Sequence, residues 1–138
     1  MKPLHTIGSR LLKPRRVARD DRDHETFRNH AARRLQLHTP EVDEDVRRRL
    51  CANLRYLRGD VTDPDSPAPA LAQDADPVVV YLALPHTLLA DTLRGLAQVG
   101  VPQGSQLIIE TPFGTGLHDA RRLNEFVHTA FPENPVFR

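Results

Sequence analysis

A chain of 138 residues, 39% hydrophobic and 27% charged, is long enough for one domain with a packed core and too short for a two-domain enzyme. No apolar run approaches the ~18 residues of a membrane-spanning helix, and the basic opening MKPLHTIGSRLLKPRR lacks the continuous apolar segment of a secretory signal. A cytoplasmic chain is expected, and a single cysteine, Cys51, agrees with a reducing compartment and reads as a small packed residue on a helix.

The net charge of +1 conceals an asymmetry: residues 1 to 60 hold fifteen Lys/Arg against nine Asp/Glu, residues 61 to 138 four against nine. A basic half invites a nucleic-acid reading. Its arginines, however, are interleaved with Asp20, Asp21, Asp23, Glu25, Asp43, Glu44 and Asp45 at helical spacings where the charges pair or face water. A small basic nucleic-acid binder therefore ranks low among the alternatives.

Residues 1 to 14 carry no clear element. Leu4 to Ile7 is a poor strand interrupted by His5, and about eight residues separate it from the next strand candidate, fewer than the dozen or more of a parallel crossover. Asp21 to Leu37 has helical period, with Phe27, Ala31 and Leu35 on one face and acids at its positive N-terminus. Pro40 breaks the chain, and Glu41 to Asn53 predicts a second amphipathic helix with Val42, Val46, Leu50 and Cys51 inward. Leu54 to Arg58 predicts a short strand ended by Gly59-Asp60. The Pro- and Asp-rich stretch 61–76 reads as a surface loop with one helical turn at Ala68 to Gln73.

The most legible stretch runs from Val78 to Gly114. Val78 to Leu84 is an unbroken apolar run with the composition of a strand buried on both faces of a parallel sheet. Pro85 stops it, and Leu88, Leu89, Leu93, Leu96 and Ala97 recur at helical spacing until Gly100, which is placed to cap. Gln106 to Glu110 is a second apolar strand, halted by Thr111-Pro112-Phe113-Gly114. Strand, helix and strand in that order make a right-handed crossover with parallel strands. Leu117 to Phe131 predicts a further helix with a stripe of Leu117, Ala120, Leu123, Asn124, Val127 and Phe131.

The seven histidines show no i, i+4 pair and no cysteine partner, so no metal site is read, and Ser9 and Ser105 lack a nucleophile-elbow context. His86 stands where a strand ends at the ligand-binding edge of an open α/β sheet, but it reads first as an exposed residue at a helix start.

Tyr81-Leu82-Ala83-Leu84-Pro85, Glu110, Pro112-Phe113-Gly114, Ala120-Arg121, Leu123-Asn124 and Phe131-Pro132-Glu133 form an ordered set. From about Leu54 to Arg138 the sequence resembles the coenzyme domain of glucose-6-phosphate dehydrogenase. That resemblance implies an α/β fold, an incomplete Rossmann-like parallel sheet with helices on both faces, as one coenzyme domain over 1–138. Arg15 to Arg19 is similar to the family's second strand, at whose tip an arginine, here Arg19, meets the 2′-phosphate of NADP. The resemblance places Tyr81, Pro85, His86, Glu110, Thr111 and Pro112 against the coenzyme as well.

Three departures bear on function. No glycine-rich phosphate loop occurs, so the first βα unit is expected to be missing or shortened and NADP binding weak or lost. Thr111 stands where the family has a lysine that touches substrate and nicotinamide. The I-D-H-Y-L-G-K segment with the catalytic histidine is not among the 138 residues, and the substrate domain is expected to be absent. The implied reaction, oxidation of glucose 6-phosphate to 6-phosphogluconolactone in the pentose phosphate pathway, is not expected of this chain alone, and no catalytic residue is assigned. A non-catalytic module, self-associating or docked on a full-length dehydrogenase, is the main alternative. In a doubly wound sheet the first strand is central, so its loss separates the strands near Val17 and Tyr56 from those near Tyr81 and Ile108 unless the sheet closes up.

Overall fold

A computed structural model describes residues 13–72, 76–110, 116–132 and 135–137. The chain divides into two compact units, one up to Arg58 and one from Gly59 onward.

In the first unit, β1 (Arg15–Ala18) and β2 (Arg55–Arg58) run parallel, with Arg15 opposite Arg55 and Ala18 opposite Arg58. The crossover between them carries α1 (His24–His38) and α2 (Glu44–Asn53). Helix α1 begins three residues later than its hydrophobic period suggests because Asp23 is the cap: its carboxylate accepts the Thr26 amide hydrogen at 2.7 Å. That bond holds the Asp23 carboxyl below its ordinary pKa. Asp43 caps α2 in the same way, accepting from Asp45 at 2.8 Å, so α2 also starts three residues beyond Glu41. At the end of α1 the Thr39 amide and hydroxyl both donate to the Leu35 carbonyl, at 2.8 and 2.7 Å, and Pro40 follows.

The core of this unit is thin. Tyr56 is 4% exposed and its ring lies 5.2 Å from that of Phe27, while Cys51 is buried. Val46 and Leu50, expected to face inward, are exposed. Two four-residue strands offer too little area to cover both helices, and α1 has no buried residue at all.

The second unit holds α3 (Ala68–Ala72), β3 (Val79–Leu82), α4 (His86–Val99), β4 (Gln106–Ile109), α5 (Leu117–Ala130) and β5 (Val136–Phe137). Its three strands are parallel in the order β3-β4-β5, with Tyr81 opposite Ile108 and Ile108 opposite Phe137. The core is made by Leu82, Leu89, Leu93, Leu96, Leu107, Ile109, Val127 and Phe131. The buried Ser105 hydroxyl, just ahead of β4, accepts the Val78 amide hydrogen at 3.0 Å and sets the register at the start of the pair. Gly100 ends α4 at φ 87°, a conformation that favours glycine.

Two sequence expectations are corrected here. The apolar run at Val78 to Leu84 is not a strand buried on both faces: Val80 and Leu82 face the helices, whereas Val79 and Tyr81 are 62% and 57% exposed. Leu117, expected in the inward stripe of α5, is also exposed; it is the first residue of the helix. Strand β5 is a two-residue element without a sequence signal of its own.

The strands fall in two separate sheets, β1-β2 and β3-β4-β5. Of the two outcomes open to a doubly wound sheet lacking its central strand, direct pairing of β1 with β3 is not adopted among the described residues. The architecture is α/β with parallel strands and helical crossovers, an incomplete Rossmann-like arrangement of small sheets.

Candidate functional site

Parallel sheets with helical crossovers bind ligands beyond the carboxyl ends of their strands, because chain segments there turn away and leave a crevice. In the second unit that edge is formed where β3 gives way to Ala83-Leu84-Pro85 and β4 to Glu110. The Glu110 amide still donates to the Leu82 carbonyl at 3.2 Å, which carries the parallel pairing one residue past β4. The period of two puts Tyr81 and Glu110 on the same face of the sheet, and the Tyr81 hydroxyl donates to a Glu110 carboxylate oxygen. This hydrogen bond to the carboxylate pushes the Tyr81 phenol above its ordinary pKa.

Pro85 is the residue that caps α4, and it provides no side-chain hydrogen bond to the first amides. The first turn of α4 contains no acid, in contrast to α1 and α2, whose first turns carry Glu25 and Glu44 with Asp45. The positive end of this 14-residue helix therefore has neither a capping side chain nor an acid in its own first turn. His86 is its first residue and is exposed, as the sequence suggested.

In the first unit, Arg19 follows β1 directly and is exposed. The loop that begins with it and the first residue of α1 are tied to β2 at three points. The Tyr56 hydroxyl donates to the Asp20 carbonyl at 2.7 Å, the Tyr56 amide to His24 Nδ1 at 3.0 Å, and the Arg58 guanidinium to Asp21 at 3.1 Å. A ring nitrogen that accepts an amide hydrogen carries its own proton, if one, on Nε2. Tyr56, His24 and Arg58 were not among the sequence candidates. Their partners lie 32 to 37 residues away along the chain, and no local pattern announces such pairs.

Of the seven candidates, Tyr81 and Glu110 are in contact, Pro85 and His86 open α4 at the same sheet edge, and Arg19 tips the other sheet. Thr111 and Pro112 lie outside the described residues. Within the second unit, a helix N-terminus without a capping side chain and an exposed tyrosine ring are groups that suit a phosphate-bearing nucleotide; in the first unit, taken by itself, the guanidinium at the strand tip is a group that suits a phosphate.

Comparison with known proteins points the same way. The family model described as "Glucose-6-phosphate dehydrogenase, NAD binding domain" matches residues 12–138. Glucose-6-phosphate 1-dehydrogenase 1 of Mycobacterium tuberculosis H37Rv is 34% identical over 103 residues, covering 72% of this chain and 22% of that protein. The glucose-6-phosphate 1-dehydrogenase of Mycolicibacterium smegmatis is 31% identical over 133 residues, covering 88% and 27%. The crystal structure of the Mycobacterium avium enzyme superposes with a TM-score of 0.74 at 29% identity, over 84% of this chain and 26% of that one. The chain thus spans about a quarter of the length of these relatives. With 127 of its residues under one family model, and a fold that superposes on the Mycobacterium avium enzyme, the chain belongs to the glucose-6-phosphate dehydrogenase family and corresponds to its N-terminal, NAD-binding domain.

Proposed function

We propose that the chain, over residues 1–138, is a coenzyme-binding domain for NADP, of the glucose-6-phosphate dehydrogenase type, in the cytoplasm. The observation that carries this reading is the β3-α4-β4 crossover, which sets Tyr81, Pro85, His86 and Glu110 around one carboxyl edge with the N-terminus of α4 uncapped. Thr111 and Pro112 follow Glu110 in sequence and complete that group in this reading. Arg19 receives the 2′-phosphate that separates NADP from NAD. Binding is weak, because no glycine-rich loop brings main-chain amides close to the pyrophosphate.

When bound, the coenzyme would supply the hydride acceptor for an oxidation at a sugar carbon. The residues here offer orientation only. A threonine at position 111 has one neutral hydroxyl to offer where a lysine would hold a sugar oxygen, so the 138 residues by themselves are expected not to oxidise glucose 6-phosphate. A thermal melt with excess NADP⁺ tests the reading: at about a hundred times Kd the stabilisation is roughly 2.7 kcal/mol, a rise on the order of 10 °C. A cooperative melt that NADP⁺ leaves unmoved would sink it.

One observation favours a second reading, association with another copy or with a longer dehydrogenase chain. Val79, Tyr81 and Phe137, at 62%, 57% and 50% exposure, make an uncovered apolar face on the three-stranded sheet. Sedimentation velocity across a hundredfold range of concentration, roughly micromolar to tenth-millimolar, distinguishes a concentration-dependent assembly from a monomer.

A further inference from the structure

Tyr56 and Arg58 alternate onto one face of β2, the face against α1, and from there both reach the loop that starts at Arg19. The buried Tyr56 holds the loop backbone through the Asp20 carbonyl and the start of α1 through the His24 ring. The bond from Arg58 is of another kind. Its guanidinium and the Asp21 carboxylate are 63% and 86% exposed, so the pair contributes little to stability. What it does is hold a guanidinium in place. The register sets Arg58 beside Ala18, the residue that precedes Arg19, and Asp21 draws the side chain over the β1–α1 loop.

We propose that Arg58 is a second guanidinium for the phosphate monoester assigned above to Arg19, with Asp21 as the residue that positions it; this rests on the coenzyme reading. A phosphate monoester presents three acceptor oxygens and close to two negative charges, and one planar fork engages two of those oxygens. A second fork from the neighbouring strand takes the third. An exposed carboxylate with a single charge yields its arginine to such a dianion. The other acids of the loop are otherwise engaged, Asp20 with Arg22 at 3.8 Å and Asp23 on the Thr26 amide.

The test is the affinity of the 138-residue chain for NADP⁺ and NAD⁺, measured by isothermal titration calorimetry at two salt concentrations. Arg58→Gln is expected to weaken NADP⁺ about tenfold, to leave NAD⁺ within about twofold, and to flatten the salt dependence for NADP⁺ alone. Arg58→Lys restores part of the loss, since it keeps the charge without the fork. Asp21→Asn strengthens NADP⁺, and that gain disappears in the Arg58→Gln background. Arg48→Gln, which removes an equally exposed arginine of α2, serves as control and changes neither affinity. If Arg19→Gln abolishes the preference for NADP⁺ while Arg58→Gln leaves it intact, the proposal is wrong and the coenzyme reading stands. If the unaltered chain binds neither dinucleotide, both fall together.

Discussion

Tyr81 shows how a residue chosen for one reason acquires a second role from its neighbours. Its ring was legible as part of a strand, but the register of β3 on β4 is what brings its hydroxyl to Glu110. Because the hydrogen bond needs a protonated phenol and an ionised carboxylate, the folded-state pKa of Tyr81 is raised. The stability that this bond contributes is therefore complete below the unfolded tyrosine value of about 10 and is lost as pH rises through the higher folded value. Absorbance titration near the tyrosinate band should show the Tyr81 phenol ionising late, and Glu110→Gln should bring it back toward the ordinary range. A normal titration in the unaltered chain would mean the bond is not made in solution. Cys51 is a simpler case, a thiol whose pKa burial raises. Its reaction with a disulfide reagent at pH 8 should be slower by about tenfold or more than in the urea-unfolded chain, because little thiolate is present and access needs opening.

At the scale of elements, α4 is the best-anchored piece of the molecule. Leu89, Leu93 and Leu96 lie at helical spacing on the strand side and are 2%, 0% and 3% exposed. Leu93→Ala should destabilise by about 2 to 5 kcal/mol, read as a lower urea midpoint at unchanged slope. Gly95, in the interior of the same helix, faces Pro64: a Cβ there would sit 3.4 Å from the Pro64 Cα, an ordinary contact. Gly95→Ala is therefore expected to stabilise by about 0.5 to 1 kcal/mol through helix propensity alone. Gly95→Leu should destabilise, since the added atoms meet the Pro64 backbone. Similar changes on α1 should matter less, because no residue of α1 is buried.

For the whole molecule the division into two sheets is the governing fact. A doubly wound sheet owes its cohesion to the central strand, and among the described residues β1-β2 and β3-β4-β5 are not joined by one. Each sheet is small, two or three strands of two to four residues, which limits the area against which helices can bury side chains. Hydrogen exchange should separate the units: amides of β4 and α4 are expected to be protected by about tenfold or more over those of β2 and α1. Equal protection throughout would indicate one cooperative body. Among the described residues no helix is long and apolar enough to cross a membrane.

Much of this was fixed by local chemistry. Helix spans followed from apolar period and from Pro40, Pro85 and Gly100 as breaks, and Asp23 and Asp43 decided where α1 and α2 begin. The ordered motifs from Tyr81 to Glu133 were enough to name the family, since they are local and survive without a complete sheet. The candidate edge at Pro85, His86 and Glu110 was legible too, because a strand's carboxyl end is marked by the residues that stop it. Burial was less legible. An unbroken apolar run looks the same whether a second layer of helices covers it or not, and only the tertiary structure shows Val79 and Tyr81 uncovered. The tie between β2 and the Arg19 loop was invisible for a similar reason: it joins residues more than thirty positions apart through a main-chain amide, a phenol and a guanidinium, and only the parallel register brings them within reach.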